Sequence, residues 1–457
     1  MHKYVCMRKN QYILLLCLFF SCISAYSIAQ TKVDSLYGER YRPRFHFSPS
    51  VNWTNDPNGL IYYAGEYHLY YQYNPQGNSW GHMSWGHAKS TDLVHWKQMP
   101  VAIPEEKNYM IFSGSAVADK KNTSGFALSR GQVPIVAMYT AHTDTNQSQH
   151  IAYSLDSGKT FTQYSGNPVL DLHKKDFRDP AVMWYAPKQR WIVALVLPDK
   201  HVVQFYESRN LKQWKYLSDF GPAGDTTGIW ECPQLMQVPL ENNPAKKKWV
   251  LLLSLSPTMQ YFVGDFDGTT FHNENPSDTI LRPDYGLDYY AAIAYNNLPY
   301  GAKPVTIGWA NNWNYANDIP TKPWKSAMSL PRNVSLKKIG EQWVLLQKPI
   351  EALDSLRNET YTADTITDVA KDIPIKSQQL EMQFTMHIKD SSVTGVILAY
   401  AENRGIIVGY DAANKKLFVD RSKAGNNSFS ENFAPKVRRA FSRSSRSFNC
   451  PILYEHA

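Results

Sequence analysis

From about residue 45 to 335 the chain alternates short apolar runs with turn residues, and no run carries a helical period. Glu66–Gln72 (EYHLYYQ), Ile135–Thr140 (IVAMYT), Trp191–Leu197 (WIVALVL) and Lys248–Leu255 (KWVLLLSL) are rich in β-branched or aromatic residues and bounded by turn residues. Such runs read as strands, and without a 3.6-residue period no layer of amphipathic helices is expected between them. A diffuse repeat lies over this pattern. Ser or Gly is followed by Asp or Asn and then an aromatic at Ser90-Thr91-Asp92…Trp96, Ser154-Leu155-Asp156…Phe161, Ser208-Arg209-Asn210…Trp214 and Gly264…Asp267…Phe271. The markers Asp92, Asp156, Asn210 and Asp267 stand 64, 54 and 57 residues apart. Each interval accommodates four short strands, the size of one propeller blade.

The predicted fold is therefore all-β, with a five-bladed β-propeller over residues 43–346. After Leu346 the text changes. Pro349–Asn358 (PIEALDSLRN) predicts a short helix inside a linker spanning 347–365. Strands at Leu380–Ile388, Gly395–Ala401, Gly405–Tyr410 and Lys416–Asp420 predict a partial β-sandwich over 366–435. Residues 436–457 (KVRRAFSRSSRSFNCPILYEHA) form a basic, Ser/Arg-rich tail without alternation, from which no strand is predicted. Four or five strands are too few to cover two faces. The sandwich accordingly reads as truncated, with the tail as a premature or frame-shifted ending.

Charge and cysteine usage narrow the function classes. The net charge of +8 suggests nucleic acid at first sight. Lys3, Arg8 and Lys9 supply +3 within residues 1–29, and the tail supplies +4, leaving +1 for residues 30–435. The body of the protein thus lacks an electrostatic footprint for phosphate backbones. Residues 1–29 read as an export signal, with a basic start, an apolar run from Tyr12 to Ile23 and small residues Ser27 and Ala29 before the cut. The run is too short for a transmembrane span. Ser21-Cys22 offers an alternative lipoprotein site, disfavoured by Phe19 and Phe20, and a periplasmic or extracellular monomer is expected. Outside the signal only Cys232 and Cys450 remain, too few for a disulfide framework or a zinc site.

Three acidic motifs carry candidate chemistry: Asn55-Asp56-Pro57-Asn58-Gly59, Arg178-Asp179-Pro180 and Glu231-Cys232-Pro233. Taken singly, the first two have an ordinary structural reading as turns. Together they match what glycoside hydrolysis needs, an ionised carboxylate at the anomeric carbon and a protonated acid for the leaving oxygen. Asp56, among polar Asn55 and Asn58, suits the ionised partner. Glu231, between Trp230 and Cys232, suits a desolvated acid. His82 and His87 lack helical metal-ligand spacing, and His82 is expected to contact backbone or solvent at a pocket rim.

In this order the motifs resemble glycoside hydrolase family 32, the invertase, levanase and inulinase family. The resemblance also rests on Gly77–His87 (GNSWGHMSWGH), Phe112–Ser115 (FSGS) and Gly308–Arg332, and covers roughly residues 43–435. Thr54 departs from the family's usual Met. The resemblance implies the five-bladed propeller plus C-terminal β-sandwich, and a retaining double displacement on sucrose or fructans without metal or organic cofactor. It makes Asp56 the nucleophile, Glu231 the acid/base and Asp179 the transition-state stabiliser. It implies that Asn55, Gln72, Trp80, Phe112, Ser113, Arg178, Asp288, Tyr289 and Trp309 line the fructose pocket. Fructosyl transfer at the same site is the rival within enzymes, and a non-catalytic sugar-binding propeller or surface interaction module the rivals outside them.

Overall fold

Trp191–Leu197 shows why nearly every position of these strands is apolar. Ile192, Ala194 and Val196 pack toward one neighbouring blade, whereas Trp191, Val193, Leu195 and Leu197 pack toward the other. A strand alternates its side chains between two faces, and a blade sandwiched between two others buries both. The computed structural model describes residues 37–362, 372–387, 393–401, 404–425, 427–434, 437–440 and 447–455. The expected signal over 1–29, with Cys22, and part of the expected linker lie outside the described residues. Within residues 37–42, Arg42 pairs with Glu39 at 2.8 Å. The strands all belong to the unit from Pro43 to His456.

Five blades follow in chain order. Blade 1 is a meander of β1 (Asn52–Tyr63), β2 (Glu66–Asn74), β3 (Ser84–Ser90) and β4 (Lys97–Ile103). Blade 2 holds β5 (Met110–Ala118), β6 (Ile135–His142) and β7 (Gln147–Ser154), with β8 (Thr162–Gln163) and β9 (Leu170–Lys174) both on β7. Blade 3 is β10 (Arg178–Tyr185), β11 (Arg190–Leu197), β12 (Val202–Ser208) and β13 (Lys215–Phe220). Blade 4 is β14 (Trp230–Leu240), β15 (Asn243–Leu255), β16 (Thr258–Phe266) and β17 (Phe271–Asn273). Blade 5 starts with β18 (Tyr290–Ala294) and β19 (Val305–Trp309). β20 (Trp324–Lys325) then leaves to pair in parallel with β1, before β21 (Arg332–Ile339) and β22 (Gln342–Pro349) complete the blade. That excursion ties the last blade to the first through backbone hydrogen bonds.

The inner strands β1, β5, β10, β14 and β18 pack side by side in this order, and β18 returns to β1. One apolar cluster fills each interface between blades. Ile61, Tyr70 and Trp85 meet Ile111 and Tyr139 between blades 1 and 2, for example, and Val203 and Phe205 meet Leu251 and Phe262 between blades 3 and 4. Each large aliphatic or aromatic side chain so buried stabilises the ring by about 1.5–3 kcal/mol. The repeat markers sit where the third strand turns into the fourth in blades 1–4. Asp92 Oδ1 accepts the Val94 and His95 amides at 2.8 Å, and Asp156, Asn210 and Asp267 accept amides at equivalent turns. The repeat is a turn device, with side-chain oxygens capping backbone donors.

The expected helix at Pro349–Asn358 is a single 3-10 stretch, Glu351–Leu356. Beyond it, β23 (Gln379–His387), β24 (Val393–Ala401), β25 (Arg404–Asp411) and β26 (Lys416–Lys423) stand where strands were expected. The basic tail differs from expectation. β27 (Val437–Ala440) pairs with β26, and β28 (Ser447–Glu455) pairs with β23. Open strand edges recruit extended backbone irrespective of side-chain alternation, and an edge position tolerates Pro451. The result is a four-stranded sheet, β24–β25–β26–β27, and a two-stranded one, β23–β28. Val393, Ile397 and Val419 are exposed.

The FSGS glycine has a packing reason. A Cβ on Gly114 would stand 2.0 Å from the Met138 carbonyl oxygen and 2.7 Å from Tyr139 Cα, both backbone atoms of β6. Gly114→Ala must therefore push β5 off β6, at a cost of about 1–3 kcal/mol. A melting temperature several degrees below the parent's is expected, and an unchanged one would contradict this packing.

Candidate active site

Every inner strand breaks register near the same end of the axis. The irregularities there fall between Thr54 and Pro57 in β1, Ile111 and Gly114 in β5, Arg178 and Ala181 in β10, Glu231 and Gln234 in β14, and Tyr290 and Ile293 in β18, and β1 and β14 each break again further along. A bulge re-aims side chains that would otherwise face the neighbouring blades. Asp56, Ser113, Asp179, Cys232 and the flanking Arg178, Glu231 and Tyr290 all lie on or beside these breaks. Pro180 and Pro233 occupy bulge positions, where a missing N–H costs no ladder bond, and Pro57 directly follows the bulge at Asn55-Asp56. The motifs are thus bulges within strands rather than turns between them. Asp179, Cys232 and Ala291 adopt φ of 63°, 46° and 50°, a left-handed backbone that is uncommon outside glycine.

The side chains converge on Cys232. Its amide donates to Asp179 Oδ2 at 2.9 Å, and its thiol lies 3.5 Å from Asp56 Oδ2. Burial, then the charges of Asp179, Asp56 and Glu231, push this thiol well up and keep it a donor. Asp56 also accepts from Ser113 Oγ at 2.7 Å and Asn55 Nδ2 at 3.1 Å. Asn55 in turn accepts from Trp53 Nε1 at 2.8 Å. Burial first and the Glu231 charge second push Asp56 up to about 6, against the lowering by its three donors. Asp179 is raised too, by burial and Glu231, although Arg178 opposes the shift.

Glu231 lies in a different setting from the one expected. Trp230 turns into the core between blades 3 and 4, so strand alternation carries Glu231 the other way, with its side chain 20% exposed. Arg178 Nη2 stands 3.1 Å from Oε1, and Tyr290 donates its phenol to Oε2. Asp56 is the desolvated carboxyl, which reverses the settings expected from flanking residues. Arg178 is itself held by Asp176 at 2.7 Å and Gln147 at 3.3 Å.

Of the other expected pocket residues, Gln72 donates to the Ile111 carbonyl at 3.0 Å and ties β2 to β5 beside Ser113. Trp309 is fully buried against Trp53, Trp313 and Tyr290. Phe112 stacks on His142 and meets the exposed Trp80 edge-on. Asp288 and Tyr289 turn away from the acids. Asp288 receives Tyr315 and Arg421, and Tyr289 lies beneath the Arg332 guanidinium at 3.9 Å. Tyr290, the neighbour of the expected Tyr289, is the tyrosine whose phenol reaches Glu231. Gln147, Asp176 and His142, around Arg178 and Phe112, carry no local motif that marks them in the sequence. His82 is about half exposed to solvent and pairs with Glu105 at 2.9 Å. Among the described residues no His, Cys, Asp or Glu cluster has the makings of a metal site, and no helix is long and apolar enough to cross a membrane. One step along the axis a cavity of about 20 Å³, bounded by Asn58, Ser115, Asp179, Cys232, Gln234 and Ile293, has room for about one water.

A propeller whose axis ends in three carboxyls, followed by two C-terminal β-sheets, has the architecture of a carbohydrate-cleaving hydrolase. The N-terminal-domain model of glycosyl hydrolases family 32 matches residues 46–349, the C-terminal model matches 352–447, and the chain belongs to this family. It is 44% identical over 441 residues to a levanase of Bacillus subtilis (strain 168), spanning 93% of this chain and 65% of the levanase. It is 41% identical over 447 residues to an extracellular exo-inulinase of Aspergillus awamori, covering 87% and 82% of the two chains. The crystal structure of exo-inulinase from that organism superposes with a TM-score of 0.80 at 38% identity, covering 92% of this chain and 90% of that one. A fructofuranosidase of Schwanniomyces occidentalis complexed with fructose gives 0.75 at 33%, covering 92% and 89%.

The raised Asp56 has a consequence for stability. A buried carboxyl that titrates near 6 when folded, against 3.8 as its ordinary value, costs stability progressively as pH rises between those values. In Asp56→Asn the amide can still face Asn55 and Ser113, and no charge is buried. The variant should melt about 2–5 °C above the parent at pH 7–8, with the difference vanishing near pH 4. A lower melting temperature at neutral pH would show that the charge is stabilised, not strained.

Proposed function

We propose that the chain is an exported retaining glycosidase that removes terminal fructose from sucrose or fructans at this axial site. The observation that carries the reading is the convergence of Asp56, Asp179 and Glu231, from three different blades, around one buried Cys232. The levanase and exo-inulinase names of its relatives, and the fructose-bound neighbour, support the substrate class. The relative named extracellular and the signal-like residues 1–29 support export.

In the first step an Asp56 carboxylate oxygen attacks the anomeric carbon while the glycosidic C–O bond breaks. Glu231 passes its proton to the leaving oxygen, and a fructosyl ester on Asp56 results. In the second step Glu231 takes a proton from water, the water oxygen bonds to the anomeric carbon, and the ester releases Asp56. Asp179, anchored by the Cys232 amide, binds fructose hydroxyls through the charged transition state. Arg178 and Tyr290 hold both oxygens of Glu231, so its position is set before substrate enters. Asn55, Gln72, Ser113 and Trp309 line the sugar's side of the acids, and Phe112 and Trp80 the rim.

Purified protein should release free fructose from the ends of levan or inulin, or from sucrose, with the β anomer appearing first by NMR. An α anomer first would overturn the double displacement. Early long oligosaccharides would overturn end-on cleavage, and fructose-extended products at high sucrose would assign transfer instead. Asp56→Asn should lose at least about a thousandfold in kcat. Glu231→Ala should lose most on poor leaving groups and regain the second step with azide, an anion that needs no general base.

A further inference from the structure

The β6–β7 hairpin places His142 directly opposite Gln147 at its base, closed by residues 143–146. The Gln147 amide has only one orientation that serves its neighbours. Its oxygen accepts the Phe177 amide at 2.9 Å and Arg178 Nη1 at 3.3 Å. Its nitrogen must then point the other way, where it lies 3.1 Å from His142 Nδ1. An amide NH2 only donates, so His142 Nδ1 accepts and the ring proton sits on Nε2. The opposite face of this contact is equally fixed. The imidazole lies parallel to the Phe112 ring, 4.1 Å between centroids and 8° between planes.

We infer that His142 is a positioning residue for the proposed reaction, its neutral ring backing the Phe112 wall while its Nδ1 orients Gln147 and through it Arg178 and Glu231. The inference rests on the proposed function and adds a residue that touches no acid directly. A second proton would turn Nδ1 into a donor facing the Gln147 donor, and Gln147 would have to turn away from Phe177 and Arg178. The charged groups around the ring are Asp144 on its own hairpin and Lys175, Asp176 and Arg178 on the segment entering β10. From β5 it faces the apolar Phe112 and stands opposite Met110 in the ladder, neither of them titratable. Burial first, and Arg178 second, lower His142 from its ordinary value, in the direction that preserves the neutral ring.

Two variants separate the two contacts. His142→Phe keeps a flat ring on Phe112 and deletes the acceptor, whereas His142→Asn keeps an acceptor and deletes the ring. Fructose release by parent and variants is measured between about pH 4 and pH 8. His142→Phe should lower kcat about threefold to tenfold, the worth of one hydrogen bond, with KM within about twofold. Its acid-side fall in kcat should also be shallower than the parent's, because one titrating group is gone. His142→Asn should instead raise KM by a similar factor and spare kcat. Parallel losses of kcat and KM in both variants, or no change in either, would overturn the inference while leaving the function intact. A parent inactive on sucrose, inulin and levan would overturn the function itself, and the inference with it.

Discussion

A strand running along a propeller axis sends alternate side chains toward its two neighbouring blades, so a regular strand points nothing at the axis. Blades 1–5 meet this constraint with the same device, a break of register near the start of each inner strand. Asp56, Ser113, Asp179, Cys232 and Tyr290 reach one another only through these breaks. The left-handed Asp179, Cys232 and Ala291 each hold an unfavourable backbone worth about 1–3 kcal/mol. Interfaces filled by aromatic and aliphatic side chains on both faces of every blade supply the rigidity that maintains it.

Electrostatics add a second strain to the same place. Asp56 and Asp179 are nearly fully buried, and both feel the charge of Glu231. Arg178 is the cation drawn into the cluster, and it is divided among Asp176, Asp179 and Glu231. A buried carboxylate without a dedicated countercharge is unfavourable in a folded protein. Ser113, Asn55 and the Cys232 thiol offset part of the cost with neutral donors and leave the Asp56 charge uncompensated, as the proposed nucleophile would require. Under that proposal activity and stability pull in opposite directions at this residue.

Much of this was legible in the chain. Blade number followed from the Asp92, Asp156, Asn210 and Asp267 spacing, because each is a turn whose capping chemistry needs that residue type. The three acids were legible because their short motifs, ordinary turns when taken singly, together supply the carboxyls that glycoside hydrolysis needs and follow the family's order. What failed was orientation. Whether Tyr289 or Tyr290 faces the acids depends on a phase that only tertiary pairing sets, since both are tyrosines and both are buried. Flanking residues misled for the same reason, because Trp230 is Glu231's neighbour in sequence and not in space. Gln147 and His142 act across a hairpin and leave no local signature. The strands at Val437–Ala440 and Ser447–Glu455 lack alternation because their pairing is between backbones.

The fate of Asp288 shows how the C-terminal sheets reach the site. Its carboxylate accepts Arg421 Nη1, from β26, at 2.6 Å, and the same guanidinium donates to Tyr315 at 2.8 Å. Tyr315 belongs to the turn after β19, in which Asn312 Nδ2 donates to the Leu287 carbonyl at 2.7 Å. That turn also carries Trp313, stacked on Trp53 and tilted against Trp309, and Asn317, which accepts the Trp80 amide at 3.3 Å. Trp53 is the residue that orients Asn55 against Asp56. A continuous set of contacts thus runs from a strand of the second domain to the rim at Trp80 and to the support of Asp56. Because the guanidinium fork fixes two partners at once, β26 braces the turn that carries Trp313 and Asn317.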